Sequence, residues 1–138
     1  MAQREVYEEV IGRYMQALAN CDLDGLCALF SEDAQVYSPL LGWVDPRLFF
    51  EKMCRLSDLS ASWQKAHNTL MSCEDKPVMV KHFTYHWAVK DGRSTTFEVC
   101  DVFEFDENNR IARETILYDT YQLREDMGGN PLLEDDGR

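Results

Sequence analysis

The chain has 138 residues, of which 45% are hydrophobic and 12% aromatic, and its formal net charge is −11. That size and apolar content predict one globular domain with a real core, and the negative charge sets it against nucleic acid and anionic membrane surfaces as partners. No apolar run approaches the length of a membrane-spanning helix, and the charged opening MAQREVYEE lacks the apolar core of a signal peptide, so a soluble, cytoplasmic protein is expected.

A helix is predicted from Arg4 to Asn20, where Val6, Val10, Tyr14 and Leu18 recur every fourth residue. Tyr14 lies inside the apolar stripe, where a buried hydroxyl needs a partner. Asp22 is placed to cap a second short helix over 23–30, and 34–38 reads as a short strand kept extended by Pro39. Residues 40–46 read as a loop punctuated by Gly42, and Pro46 opens a third helix that runs to about Leu56. From Trp63 onward the pattern becomes strands, over 63–73, 77–90, 96–105 and 110–121. Asp91-Gly92 is a hairpin signal and Asn108-Asn109 a second turn. The expectation is a single domain over 1–124 followed by an acidic, mobile or loosely wrapped tail over 125–138. Helices followed by a run of antiparallel strands define an α+β class. The five cysteines are odd in number and none are spaced as C-x-x-C, so buried free thiols are expected.

The strand over 96–105 carries the most informative residue. Side chains alternate faces along a strand, so Phe97, Val99, Asp101, Phe103 and Phe105 share one face and Asp101 is its only acid. Burial there disfavours the charged carboxylate. A neutral acid can stabilise a developing oxyanion, although a buried cationic partner or a half-covered face would account for the same pattern.

Residues 14–39, YMQALANCDLDGLCALFSEDAQVYSP, resemble the opening of the ketosteroid isomerase-like branch of the NTF2-like (SnoaL-like) superfamily. The resemblance implies a cone-shaped α+β barrel, three N-terminal helices packed on a curved, mostly antiparallel sheet. It also places Tyr14 and Asp101 on the two donors of the family's oxyanion hole. It departs at the general base, an aspartate in that family and Ser38 here; an alcohol needs another base to activate it.

Several residues are candidates for the missing base. His86 falls where the family points a side chain into its pocket, with His82 and Thr84 on the same face. Alternatively Met79, Phe83, Tyr85, Trp87 and Val89 form the inner face and leave both histidines outside. His67 lies on a strand whose histidines act as acid–base groups in dehydratase-like relatives, or is simply half-exposed. Asp119 matches the acid of SnoaL-like cyclases, whereas an isomerase-like register points Glu114, Ile116 and Tyr118 inward; each acid also reads as a solvated surface residue. Ser38, Tyr37, Phe103, Tyr118, His67 and Trp63 are candidate substrate contacts, and aromatic residues such as Tyr37, Trp43, Trp63 and Trp87 fit a flat apolar site or plain core. His82 and His86 are four apart, about 13 Å on a strand, too far for one ion, so no metal site is expected.

Two functions are compatible with these residues. One is an isomerase, dehydratase or cyclase that acts through an enolate on a hydrophobic, polycyclic or polyketide-like molecule and needs no cofactor. The other is a non-catalytic ligand-binding or assembly module. The resemblance implies a homodimer paired through the outer sheet faces in either case.

Overall fold

A computed structural model of the protein describes residues 2–72 and 75–134. The element order is α1 (Gln3–Ala19), α2 (Leu23–Cys27), β1 (Phe30–Ser38), β2 (Gly42–Val44), α3 (Pro46–Leu56), β3 (Trp63–Met71), β4 (Val78–Ala88), β5 (Ser94–Phe105), β6 (Ile111–Leu117), α4 (Tyr121–Met127) and α5 (Pro131–Glu134). The six strands form one curved, unclosed sheet in the order β2-β1-β6-β5-β4-β3. Among the described residues only β1 and β6 pair in parallel. The α+β class and the cone-like architecture expected from the sequence are what the chain adopts.

Local chemistry places the helix starts. The Asp22 side chain accepts from the Gly25 amide at 3.0 Å, and a Cβ on Gly25 would lie 2.2 Å from the Asp22 carboxylate. The aspartate and the glycine of this turn therefore depend on one another. Asp45 caps α3 by accepting from Leu48 N, with Pro46 in the first turn.

Two expected elements differ. The second helix ends at Cys27, and Phe30 begins a strand, because the Leu29 carbonyl accepts from Ile111 N at 2.8 Å and draws the chain against β6. The expected loop over 40–46 contains β2, which folds back on β1 with Val36 opposite Val44. Gly42 makes that turn at φ +78°, a conformation costly for other residues.

The core lies between the concave face of the sheet and the helices. On β4 it takes Met79, Phe83, Tyr85 and Trp87, all buried; His82 and His86 are on the other face, paired across the strands with Cys100 and Thr96. The expectation that His86 enters the pocket is therefore corrected, because the two-residue period commits every second β4 side chain to the same side.

The expectation of a mobile tail is corrected for residues 125–134. Met127 and Leu132 are each only 1% exposed. The segment is tied down by Asn130 Nδ2 on the Leu40 carbonyl at 2.7 Å, and by Arg93, whose Nη2 lies 3.1 Å from Glu134 and which also donates to the Met127 carbonyl. Residues 135–138 lie outside the described residues. The thiols also differ from expectation. Cys21 and Cys54 form a disulfide with Cα atoms 5.6 Å apart, because the turn after α1 meets α3, a proximity that spacing along the chain does not encode. Cys27 and Cys100 are free, and Cys73 lies outside the described residues. No described helix is long and apolar enough to cross a membrane.

Candidate active site

The site begins with strand register. Asp101 on β5 stands opposite Ile116 on β6, and Phe103 stands opposite Glu114. Asp101 and Glu114 are thus diagonal neighbours on one face, within side-chain reach. Both are buried, at 1% and 0% exposure. Tyr14 of α1 completes the group: its hydroxyl donates to Glu114 Oε2 at 2.7 Å. The Tyr14 ring is held edge-on by Phe103, Phe50 and Phe30, with centroids 5.1, 5.9 and 6.4 Å away. Three residues from α1, β5 and β6 therefore form one dry polar chain.

Burial pushes both carboxyls toward their neutral forms. Glu114 is raised well above its ordinary value, first by burial and then by the negative charge of Asp101. Asp101 is raised to about 7 by burial, opposed by the hydrogen bond from Glu114. Two adjacent buried carboxyls cannot both ionise cheaply, so the pair retains a proton shared between Glu114 and Asp101. Lys81, directly cross-strand from Asp101, gives its Nζ to Thr69 Oγ1 at 3.0 Å instead. Asp101 Oδ1 and Glu114 Oε1 are both sealed from solvent, and neither has a hydrogen-bond partner outside the acid pair among the described residues.

Asp101 is in the wall of an apolar cavity of about 40 Å³. Eight of its fifteen lining residues are aromatic, and Asp101 is its one charged residue. Tyr85 and Tyr118 face the same space. Burial pushes the Tyr85 phenol up to about 12; burial, and then the Asp101 charge, raise Tyr118 further. Both are neutral hydroxyl donors at any ordinary pH. Leu40, Met53 and Leu132 close the cavity from the β1–β2 turn, α3 and α5. The volume is far below the roughly 300–1,000 Å³ of sites that hold drug-sized ligands, so a polycyclic molecule does not fit the cavity as it stands.

The structure brings together Tyr14, Trp87, Asp101, Ile116 and Tyr118 among the residues singled out from the sequence, with Phe103 packed behind on Tyr14. The others are elsewhere. Ser38 is buried and its Oγ accepts from Leu40 N at 3.1 Å, fixing the turn that delivers Leu40 to the cavity. Tyr37 packs on Trp43 with centroids 5.2 Å apart, away from the cavity lining. Trp63 is 49% exposed and stacks on His86, whose Nδ1 bonds Thr96 Oγ1. His67 bonds Thr84 Oγ1 on the outer face. Asp119 is exposed and accepts from Tyr121 N at 2.9 Å at the start of α4. Of the two possible registers for β6, the chain adopts the one that turns Glu114 and Ile116 inward. A surface position for Glu114 is corrected. Its period-two relation to Ile116 was the readable signal, and its burial under Tyr14 was not.

Fold and site together define an α+β domain with a buried acid pair at the wall of a small aromatic cavity. The chain belongs to the SnoaL-like domain family, whose model matches residues 11–114. No curated protein matches the sequence. Solved structures with the same fold include the epoxide hydrolase/cyclase-like enzyme SalBIII of pyran ring formation in the polyether salinomycin (TM-score 0.70, 14% identity, covering 88% of this chain and 97% of that one). An LEH-like epoxide hydrolase of M. tuberculosis superposes with a TM-score of 0.69 at 18% identity, covering 94% and 91%. A protein with a ketosteroid isomerase-like fold from Catenulispora acidiphila DSM 44928, in complex with trimethylamine, gives 0.72 at 11% identity, covering 89% and 95%.

Proposed function

We propose that the chain is a proton-transfer enzyme of the isomerase, dehydratase or cyclase kind that acts through an enolate on a compact apolar carbonyl compound. The observation that carries this reading is the Tyr14–Glu114–Asp101 chain, which ends at the Asp101 carboxyl in the wall of an apolar cavity. The Asp101 carboxylate takes a proton from the carbon beside the carbonyl. The C–H electron pair moves into the C–C bond, and the carbonyl pair moves onto oxygen. That oxygen accepts from the neutral hydroxyl of Tyr118 or Tyr85. Asp101 then returns the proton to another carbon, or the enolate expels a leaving group or closes a ring. Glu114 retains its own proton and steadies the Asp101 carboxylate, and Tyr14 orients Glu114. In this assignment Asp101 is the base that Ser38 cannot be, and Tyr14 acts behind the site rather than on the ligand. The chemistry calls for no cofactor. A polycyclic or polyketide substrate needs Leu40, Met53 and Leu132 to part.

A second reading rests on the cavity wall. Aromatic faces around one carboxylate also suit a small alkylammonium ion, and the enclosed volume suits a ligand of few atoms. In that reading the domain is a binding module.

One experiment separates them. Small ketones and enones in D2O are followed by proton NMR with wild type and Asp101→Asn. The enzyme reading expects accelerated α-hydrogen exchange that falls at least about 100-fold in Asp101→Asn. No acceleration with any ketone, together with saturable quenching of tryptophan fluorescence by trimethylammonium, supports the binding module and overturns the enzyme.

A further inference from the structure

We propose that His67, His82 and Glu98 form a zinc(II) site on the outer face of the sheet, on the opposite side from the cavity. The three residues come from three adjacent strands, β3, β4 and β5. A β-bulge makes the arrangement. The β3 register passes from Ala66 opposite Phe83 to Asn68 opposite His82 and leaves His67 as the extra residue. Such an insertion re-aims a side chain. The His67 and His82 rings consequently lie side by side, with centroids 4.7 Å apart.

Glu98 stands across from Thr84, two pairs along from His82 and Cys100 and therefore on the same face. Its two oxygens have different tasks. Oε2 accepts from the Thr84 hydroxyl. Oε1 faces both imidazoles, 3.1 Å from His82 Nε2 and 3.6 Å from His67 Nε2. One potential ligand atom from each residue lies within 4.8 Å of the others.

Those separations suit one ion. Zinc bonds of 2.0–2.2 Å in a tetrahedral arrangement hold neighbouring donors about 3.4 Å apart. Small side-chain rotations bring the three atoms to that spacing. The donor set, two imidazole nitrogens and one carboxylate oxygen, selects zinc and its late transition-metal neighbours over magnesium or calcium, which favour oxygen throughout. Thr84 then supplies the outer hydrogen bond that aims a ligating carboxylate. His67 Nε2, which bonds Thr84 Oγ1 at 2.6 Å, exchanges that bond for the ion. Three protein ligands leave a fourth position for water. His86 is not a member: its Nδ1 bonds Thr96 and its ring stacks on Trp63.

The test is a calorimetric titration of the tag-free full chain with zinc chloride, with cobalt(II) absorption as a geometric readout and circular dichroism to confirm that each variant folds. One equivalent of zinc is expected. His67→Ala and His82→Ala should each weaken binding at least about tenfold, Thr84→Val by a smaller factor, and His86→Ala not at all. Cobalt should show the intense visible bands of a tetrahedral centre. Three results would each overturn the site: no saturable zinc binding by the wild type, binding that survives the His67→Ala/His82→Ala double substitution, or equal losses in His86→Ala and His82→Ala.

Discussion

The two faces of β5 carry acids three residues apart with opposite behaviour. On the concave face, Asp101 is sealed among aromatic rings, and burial raises its pKa. On the convex face, Glu98 is half in water, and the Thr84 hydroxyl, then His82, lower it. The same functional group is pushed toward its neutral form on one side and toward its charged form on the other. Solvent access accounts for the difference, since desolvation penalises a lone carboxylate while donors with water nearby favour it. A sheet with one dry face and one wet face can therefore carry two kinds of chemistry on one strand.

The comparison can be broken most directly through pH. Asp101 binds its proton more tightly when folded, so between the unfolded value near 4 and the folded value of about 7 the native state holds the extra proton. Its contribution to stability is therefore greatest at acidic pH and falls as pH rises through that window, by up to about 4 kcal/mol. Urea unfolding at pH 5 and pH 8 should show this loss in the wild type and a flatter profile in Asp101→Asn; identical slopes would mean that Asp101 is not the titrating member. Next in size is Leu132→Ala, which opens the cavity at α5 and should cost about 3 kcal/mol. If Leu132 closes the site, the same variant should bind bulkier ketones more tightly than the wild type.

Tyr14→Phe removes the donor to Glu114 and should cost about 1–3 kcal/mol in urea unfolding. At the smallest end, Glu98→Gln on the convex face should leave the urea midpoint without metal almost unchanged. A cost as large as that of Tyr14→Phe would erase the distinction between the faces.

Much of this was legible before the structure. The four-residue recurrence through Tyr14 marked α1, Asp22 and Pro46 marked helix starts, and alternation along β5 isolated Asp101 on an apolar face. The resemblance of residues 14–39 carried the fold. Glu114 was legible only as one of two registers, because β6 is short and its apolar residues do not mark one face cleanly. Its hydrogen bond to Tyr14 spans 100 residues. The Cys21–Cys54 bridge spans 33. The acidic tail looked like solvent-exposed chain, yet Met127 and Leu132 are enough to dock it.

What the sequence by itself determined were the features held by neighbouring residues: caps, turns, strand periodicity and the odd acid among phenylalanines. Only the tertiary structure decided which β4 face turned inward, that Glu114 stands between Tyr14 and Asp101, and that a bulge sets His67 beside His82. Those outcomes depend on contacts between distant segments and on which surfaces lose water, and local pattern records neither.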